Sequence, residues 1–279
     1  MRISRQCWFG VAVQVAGIAL LLLLPSARAQ NPADIMPDAS AAKAKAILQQ
    51  AIDGLGGGAY LNVHNSECTG RFAQFQHSGE IGGYLQIREY RELPDKSRIE
   101  YDPKAIIVNV YAGDKGWTLD RSGVSDVPAA DMADYQEQLK MQMGNVLRNR
   151  LNDRSLFFRY GGSDVVDLKE ADWAEIGDQG HTLRIAVGRN DHLPIRSVLQ
   201  QRDPKTGENS ERSTFYTSYH PVDGIQTPFR ESRFLNGQQV YQVFWESCSY
   251  NVDLPANFFT RDSLEQHFGQ EHGKNKKKK

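Results

Sequence analysis

The sequence has little of what enzymes and metal proteins need. Only three cysteines occur in 279 residues, which excludes a small scaffold built on disulfides. The seven histidines are scattered, and none has a second histidine three or four residues away, so we predict no metal site and no cofactor. There is also no Gly-x-Ser-x-Gly element. We therefore predict no catalytic residues, although a hydrolase whose site is assembled across the fold would leave no such motif.

A strong charge of either sign is also missing. The chain has 33 lysines and arginines against 34 acidic residues, which gives a formal net charge of −1. Proteins that bind nucleic acid usually carry a basic patch or stripe, so we expect no nucleic-acid partner. A composition of 40% hydrophobic and 24% charged residues is typical of soluble globular proteins and excludes a polytopic membrane protein.

One long apolar run is present, and it lies at the N-terminus. It extends over residues 8–24, follows Arg2 and Arg5, and precedes Ala27-Arg28-Ala29. A basic start, an apolar middle and a small-x-small site predict a signal peptide at residues 1–29 that is cleaved after Ala29. We therefore expect a soluble exported protein, with an uncleaved membrane anchor as the alternative.

Two cysteines, Cys68 and Cys248, remain after this cleavage, in a compartment that favours disulfides. Both fall in predicted strands. A bond between them would close a loop of about 180 residues, which stabilises by up to about 5 kcal/mol through chain entropy. The sequence alone leaves open whether they are bonded. At the other end of the chain, residues 269–279 are rich in lysine, and we predict a disordered tail there.

Turn residues recur about every ten positions between runs that alternate apolar and polar residues, a spacing that predicts an antiparallel meander. Asn236-Gly237 is the strongest of the hairpin signals. Three segments instead have helical character: residues 39–55, 128–151 and 254–268. No linker divides the chain, so we predict a single α+β domain over residues 38–268. A sheet of ten or more strands must curl or close, and the helices would cover one of its faces.

A curled sheet has a concave face, and every second residue of a strand points into it. Such a face either packs solid or leaves an apolar cavity suited to acyl chains. Each buried methylene contributes about 0.8 kcal/mol, so such a cavity binds without any catalytic residue. We predict ten cavity-lining residues, with the two helix residues Met143 and Leu147 at the mouth: Ile99, Ile107, Trp117, Leu119, Met143, Leu147, Ile185, Phe215, Phe229 and Phe244.

Five segments resemble those of a known family. Residues 79–85 (GEIGGYL) look like its second strand, and residues 93–100 (LPDKSRIE) look like its proline-marked third strand. Residues 107–117 (IVNVYAGDKGW) are similar to its strand–turn–tryptophan hairpin, residues 222–228 (VDGIQTP) to a later hairpin, and residues 250–255 (YNVDLP) to its closing segment. The family is the periplasmic lipoprotein-carrier (LolA/LolB-like) superfamily, which includes the outer-membrane lipoprotein-sorting proteins.

The resemblance implies a half-barrel of about 10–12 strands with two or three helices covering the concave face. It also implies a monomeric periplasmic carrier of lipoprotein acyl chains or other lipids, without a cofactor, that meets membrane-associated donor or acceptor proteins. Leu93 stands where LolA-type carriers have the arginine that latches the lid, and Arg91 lies two residues earlier. The alternative is an envelope sensor or scaffold, also non-enzymatic, that uses the same fold to bind a protein partner.

Overall fold

A computed structural model describes residues 35–102, 104–202 and 207–276 of the chain, with side chains to residue 270. The predicted signal peptide, residues 1–29, lies outside the described residues, as do residues 277–279 of the predicted tail. Among the described residues, no helix is both long enough and apolar enough to cross a lipid bilayer.

The fold is built on one antiparallel sheet of thirteen strands, one more than the upper end of the predicted range. The strands are β1 (Asn65–Phe75), β2 (Ile81–Glu92), β3 (Lys96–Tyr101), β4 (Ile107–Ala112), β5 (Lys115–Asp120), β6 (Gly123–Asp126), β7 (Phe157–Val166), β8 (Lys169–Asp178), β9 (His181–Gly188), β10 (Pro194–Arg202), β11 (Asn209–Val222), β12 (Ile225–Leu235) and β13 (Gln238–Tyr250). Their spatial order is β6-β5-β4-β3-β2-β1-β13-β12-β11-β10-β9-β8-β7. The sheet therefore does not close, and β6 and β7 are its edges.

Every pair of neighbouring strands is consecutive in the chain except β1 and β13, which meet at the middle of the sheet. Cys68 and Cys248 lie directly opposite each other there and form a disulfide, with Cα atoms 4.1 Å apart. The register shifts between Thr69 and Gly70. A Cβ atom on Gly70 would lie 2.2 Å from the carbonyl oxygen of Phe244, so glycine is required at this bulge.

The helices are α1 (Pro37–Leu55), α2 (Gly58–Leu61), α3 (Ala129–Lys140), α4 (Met143–Asn145) and α5 (Arg261–Lys276), and one π-helical turn, Val146–Arg150, follows α4. The periodic apolar residues of α1 are buried, and the helix packs on β7, β8, β9 and β12. It ends at glycine as expected: the Gly57 amide donates to the Ile52 carbonyl at 2.9 Å, which satisfies the last turn.

Three predicted boundaries were wrong. The helix expected at residues 128–151 is interrupted, because Gln142 is extended and the Asn145 side-chain amide donates to the Leu139 carbonyl at 2.9 Å, which replaces the next helical bond. The first strand, which the alternation predicts over residues 60–76, begins instead at Asn65, and Tyr60 lies in α2. The last helix begins at Arg261 and continues through Lys276 into the predicted tail, because extending a formed helix costs little per residue.

Helices α1 and α3 lie on the same face of the sheet. α1 packs on the edge strand β7 and also contacts β12, five strands away. α3 contacts β3 through Tyr135 and Ser97, and β11 through Asp134 and Arg212. A sheet that meets one helix at such widely separated strands curves around it, so this face is concave.

Helices α1 and α3 thus cover the concave face, within the predicted two or three, whereas the C-terminal helix α5 packs on the convex face. Arg98 alternates with Ser97 along β3, so it points to the opposite face, where its guanidinium donates to the Phe258 carbonyl and to the Ser263 hydroxyl of α5. Leu264 of α5 is completely buried in an apolar cluster on this face.

Candidate functional site

The middle of the concave face, between α1 and α3, forms a groove that we call the central groove. Its floor consists of the adjacent strands β2, β1, β13 and β12. The apolar residues of the floor, with Tyr101 from the neighbouring strand β3, form one cluster with the disulfide: Phe72, Ile87, Tyr101, Phe229, Tyr241, Val243 and Trp245. Within the described part of the chain, this cluster includes no helix residue, and Phe72 and Phe229 are only half-buried. The accessible apolar surface of the floor therefore lies at Phe72, Phe229 and the other half-buried rings, whereas Ile87, Val243 and Trp245 are buried.

The part of the concave face beneath α1 is, by contrast, a filled core. Leu48 and Ala51 of α1 are completely buried against a cluster that contains Ile176 of β8 and Ile185 of β9, also completely buried. Leu147, from the turn after α4, belongs to the same cluster. This core fills the space beneath α1, so a ligand that contacts the floor strands would lie in the central groove.

Helix α3 bridges the central groove. On one side, the Tyr135 ring stacks on Tyr111 of β4 with centroids 4.2 Å apart, and its hydroxyl lies 3.3 Å from the Ser97 hydroxyl. On the other side, the only contact described is the ion pair between Asp134 and Arg212 of β11, 3.6 Å apart. Both partners of this pair are well exposed, and such pairs contribute about 0–1 kcal/mol. The helix is therefore anchored firmly at β3 and β4 and weakly at β11.

Two cavities flank α3 outside the central groove. One, of about 500 Å³, lies between the C-terminal end of α3 and the turns at Pro94-Asp95 and Gly113-Asp114. The other, of about 560 Å³, lies beside the N-terminal end of α3 and is lined by Trp117, Met132 and Arg261 among others.

The groove floor also carries charge, on a motif that occurs twice. β2 contains Ile87-Arg88-Glu89-Tyr90-Arg91, and β12 contains Phe229-Arg230-Glu231-Ser232-Arg233. Alternation along each strand puts Glu89 and Arg91 on the same face as Ile87, and Glu231 and Arg233 on the same face as Phe229. Both strands flank the central pair β1–β13, so the two Glu–Arg pairs lie on either side of it.

The two pairs differ in geometry. Arg91 Nη2 lies 2.9 Å from Glu89 Oε1, whereas Arg233 Nη2 lies 3.6 Å from Glu231 Oε2, beyond hydrogen-bond distance. The Glu89 carboxylate raises the pKa of Arg91, burial opposes the shift, and Glu231 adds to it. The Nε atom of Arg233 is buried and has no hydrogen-bond partner. About a third of each arginine side chain remains exposed, at 32% and 35%.

The charges of Glu89, Arg91, Glu231 and Arg233 all act on the Tyr241 phenol. Burial raises the pKa of Tyr241, Arg233 lowers it, Glu231 and Glu89 raise it, and Arg91 lowers it. Each charged group is thus close enough to act on one phenol, although β1 and β13 separate the strands that carry them. Because the net shift is upward, Tyr241 stays neutral near pH 7 and offers a hydrogen-bond donor.

Six of the ten predicted cavity residues lie on the concave side. Ile99 and Ile107 belong to strands β3 and β4 beside the groove floor, and Phe229 belongs to the floor itself. Met143, Leu147 and Ile185 pack in or against the core beneath α1. Their predicted role in binding a ligand stays a prediction.

The other four, Trp117, Leu119, Phe215 and Phe244, point to the convex face, so their inward placement was wrong. Trp117 and Leu119 pack in the cluster with α5, and Phe215 packs in a convex cluster with Trp173. Phe244 alternates with Val243 of the groove floor. The reason in each case is strand parity, since a shift of one residue moves a side chain to the other face.

The charged residues of the groove were not among the predicted site residues, because charged side chains on strands usually face solvent. The signal that could have found them is the repetition of an apolar residue followed by Arg-Glu-x-Arg on two strands. In each copy the glutamate and the second arginine share the face of an apolar residue, which is uncommon for solvated charges.

Elsewhere, a polar cluster on β7 and β8 joins Ser163, Asp172 and Arg189. The Ser163 hydroxyl lies 2.6 Å from Asp172 Oδ1, and Arg189 Nη2 lies 3.0 Å from the same oxygen. Among the hydrogen bonds described for this cluster, none involves a histidine that could act as a base. In the described ranges, no group of three or more His, Cys, Asp or Glu side chains is arranged to hold a metal ion.

No protein-family model and no curated protein matches the sequence. Solved structures do match the fold. A DUF1329 family protein from Desulfovibrio piger matches with a TM-score of 0.55 and 15% identity, over 79% of this chain and 98% of that one. A putative outer membrane lipoprotein-sorting protein domain from Vibrio parahaemolyticus matches with a TM-score of 0.55 and 12% identity, over 81% and 99%.

A LolA superfamily protein from Nitrosomonas europaea matches with a TM-score of 0.51 and 14% identity, over 79% of this chain and 99% of that one. Identities this low establish a fold and not an activity. The thirteen-stranded open sheet, curved around α1 and α3, agrees with these structures over nearly their whole length. The chain therefore has the LolA-like half-barrel fold.

Proposed function

We propose that this protein is a non-enzymatic carrier or binding protein of the cell envelope, which holds acyl chains of a lipid or lipoprotein in the central groove. The observation that carries the proposal is the apolar cluster on the groove floor, with half-buried rings at Phe72 and Phe229. Covering this surface with acyl chain gains about 0.8 kcal/mol per methylene. The fold, which is shared with a lipoprotein-sorting domain, and the predicted export signal at residues 1–29 support the same function.

Helix α3 is the proposed lid. A ligand in the groove has to pass it, and the Asp134–Arg212 contact on its β11 side costs little to break. The interruption at Gln142 lies between α3 and the turn that is packed in the α1 core. Because Met141 and the Asn145–Leu139 hydrogen bond hold the C-terminal end of α3 at that core, the proposed lid would hinge there and open at its other end.

The test is native mass spectrometry of the protein purified from an envelope fraction, with solvent extraction of bound lipid. Phe229→Asp puts a carboxylate on the groove floor and is expected to lower lipid occupancy at least about tenfold, since about 1.4 kcal/mol corresponds to a factor of ten. Phe244→Asp is the matched control, because Phe244 is also half-buried but points to the convex face.

Stoichiometric lipid that is lost in Phe229→Asp and kept in Phe244→Asp supports the proposal. Full occupancy in both folded variants, or no lipid in the unmodified protein together with no uptake of a fluorescent fatty acid, contradicts it.

A protein partner is the second candidate function, and one surface favours it. β7 is an edge strand that pairs with β8 on one side. Its residues Phe157 and Val165 and the adjoining Leu168 are 78%, 63% and 96% exposed. Exposed apolar residues on a free edge suit the addition of a strand from another chain. A photo-crosslinking residue at Val165 should then capture a discrete partner in cells, whereas the same residue at Ser125 on the opposite edge should not.

A further inference from the structure

The central groove offers more hydrogen-bond donors than the protein itself uses. We propose that its ligand carries an acidic, oxygen-rich head group, a carboxylate or a phosphate ester, that is bound by Arg233 and Arg91. This inference rests on the proposed function, because it names the chemistry of the amphiphile that the groove holds.

Arg233 is the first part of the argument. Among the described residues, its guanidinium makes no hydrogen bond: Glu231 is 3.6 Å away, and the Tyr241 ring lies beneath it with the centroid 5.1 Å from Cζ. Its Nε–H group is buried and unpaired. A buried donor without an acceptor is unfavourable, and an acceptor oxygen from a ligand would satisfy it.

Arg91 is the second part. Its described hydrogen bond is to Glu89 alone, which occupies one of the five N–H groups of the guanidinium. Its side chain is about one-third exposed within the groove. The centroid of the Tyr241 ring lies 5.1 Å from Cζ of Arg233, and the charge of Arg91 also acts on the Tyr241 phenol, so the two arginines face the same part of the groove.

The two glutamates position the arginines and do not exclude an acidic ligand. Each lies two residues from its arginine on the same strand, so each pair is close to neutral, and the remaining guanidinium N–H groups stay free. Ordering the arginines in advance lowers the entropy that a ligand must lose on binding.

A purely apolar ligand fits this floor less well. It would cover four ionised side chains and remove their water without giving hydrogen bonds in return, which is strongly unfavourable. An amphiphile whose chain covers Phe229 and Phe72 and whose acidic group meets the arginines satisfies both kinds of surface.

The experiment compares three ligands of equal chain length, namely laurate, dodecyl phosphate and dodecanol, by calorimetric titration of the delipidated protein at slightly alkaline pH. Charge-assisted hydrogen bonds predict that at least one acidic ligand binds about tenfold or more tightly than dodecanol. Arg233→Gln should remove that preference. Glu231→Gln should act in the opposite direction and tighten binding of the acidic ligand several-fold, because it frees Arg233 from its only described carboxylate partner.

Arg230→Gln is the matched control. It removes the same charge from the same strand, but Arg230 lies on the convex face over the Phe244 ring. The preference for the acidic ligand should survive in this variant. If Arg233→Gln does not fold, Arg91→Gln and Glu231→Gln provide the same comparison.

Preference for laurate indicates a fatty-acid type of cargo, preference for dodecyl phosphate indicates a phospholipid type, and either supports the inference. Equal binding of all three ligands, or a preference that is unchanged in Arg233→Gln, overturns the inference and leaves the proposed function intact. Absence of binding by all three, with no lipid in the purified protein, overturns both.

Discussion

Removal of the disulfide between Cys68 and Cys248 is expected to lower the free energy of unfolding by about 2–5 kcal/mol. The bond joins residues 180 positions apart, at the one place in the sheet where neighbouring strands are not consecutive in the chain. The perturbation is the double variant Cys68→Ala/Cys248→Ala. The reduced unmodified protein is its matched control, because it loses the bond and keeps both sulfur atoms.

The magnitude follows from the length of the loop. Fixing the ends of a loop of 180 residues removes chain entropy from the unfolded state that corresponds to about 5 kcal/mol at 25 °C. That value is an upper limit, because residual structure in the unfolded chain reduces the entropy that the bond can remove. Cys248 is also buried in the groove cluster, so the alanine variant loses additional packing that the reduced protein keeps.

Urea unfolding followed by tryptophan fluorescence is the assay, since Trp245 packs in the same cluster as the disulfide. The oxidised protein should have the highest midpoint, the reduced protein a lower one, and the alanine variant the lowest. A difference below about 1 kcal/mol between the oxidised and reduced proteins, with equal denaturant slopes, would refute the argument from loop entropy.

Two further predictions concern buried polar groups. In the unmodified protein, Arg98 Nε lies 2.8 Å from the buried Glu100 carboxylate, and the other cation described near that carboxylate is Arg88, at 3.8 Å. Arg98→Met should therefore lower the free energy of unfolding, measured by urea titration, by about 3–5 kcal/mol. Adding Glu100→Gln should recover part of this loss, and no recovery would contradict a charge effect. Burial raises the pKa of Tyr60 to about 12. The contribution of Tyr60 to the free energy of unfolding should therefore be fully present below pH 10 and be lost between pH 10 and 12, because the phenol ionises in the unfolded chain before it ionises in the folded protein. Tyr60→Phe should make the fall in stability over this range shallower in denaturation at fixed pH, and an unchanged slope would disprove the assignment.

Local turn chemistry explains why much of the fold was predictable. Asn236 and Gly237 both have positive φ, as a two-residue hairpin requires, and β12 and β13 begin and end around them within a residue or two of the prediction. The glycine cluster after α1 likewise ended that helix where expected. Such signals are written in two or three adjacent residues, so they can be read without knowledge of the rest of the chain.

The side of the sheet to which a residue points is less predictable, because it depends on register. The bulge opposite Thr69 and Gly70 inserts Glu246 into β13, so the parity of β13 changes there and Cys248 and Trp245 point to the same face. The pairing of β4 with β5 is regular at Trp117, which was assigned to the wrong face of β5; its neighbour Gly116 is the residue that faces α3 through Met132. The residues of the groove depend on pairing between distant strands, and that pairing is absent from any local window of the sequence.

The meeting of β1 with β13 also determines when the molecule can fold. β1 to β6 and β7 to β13 are runs of local hairpins, which form quickly because their contacts are close in sequence. The contacts between the two runs join residues that are far apart in sequence. β1 pairs with β13, and α1, which precedes β1, packs on β7, β8 and β9. These long-range contacts raise the contact order and slow the final step. We therefore expect the centre of the sheet, which is the floor of the central groove, to be completed last, with its apolar cluster exposed until the final strand has docked.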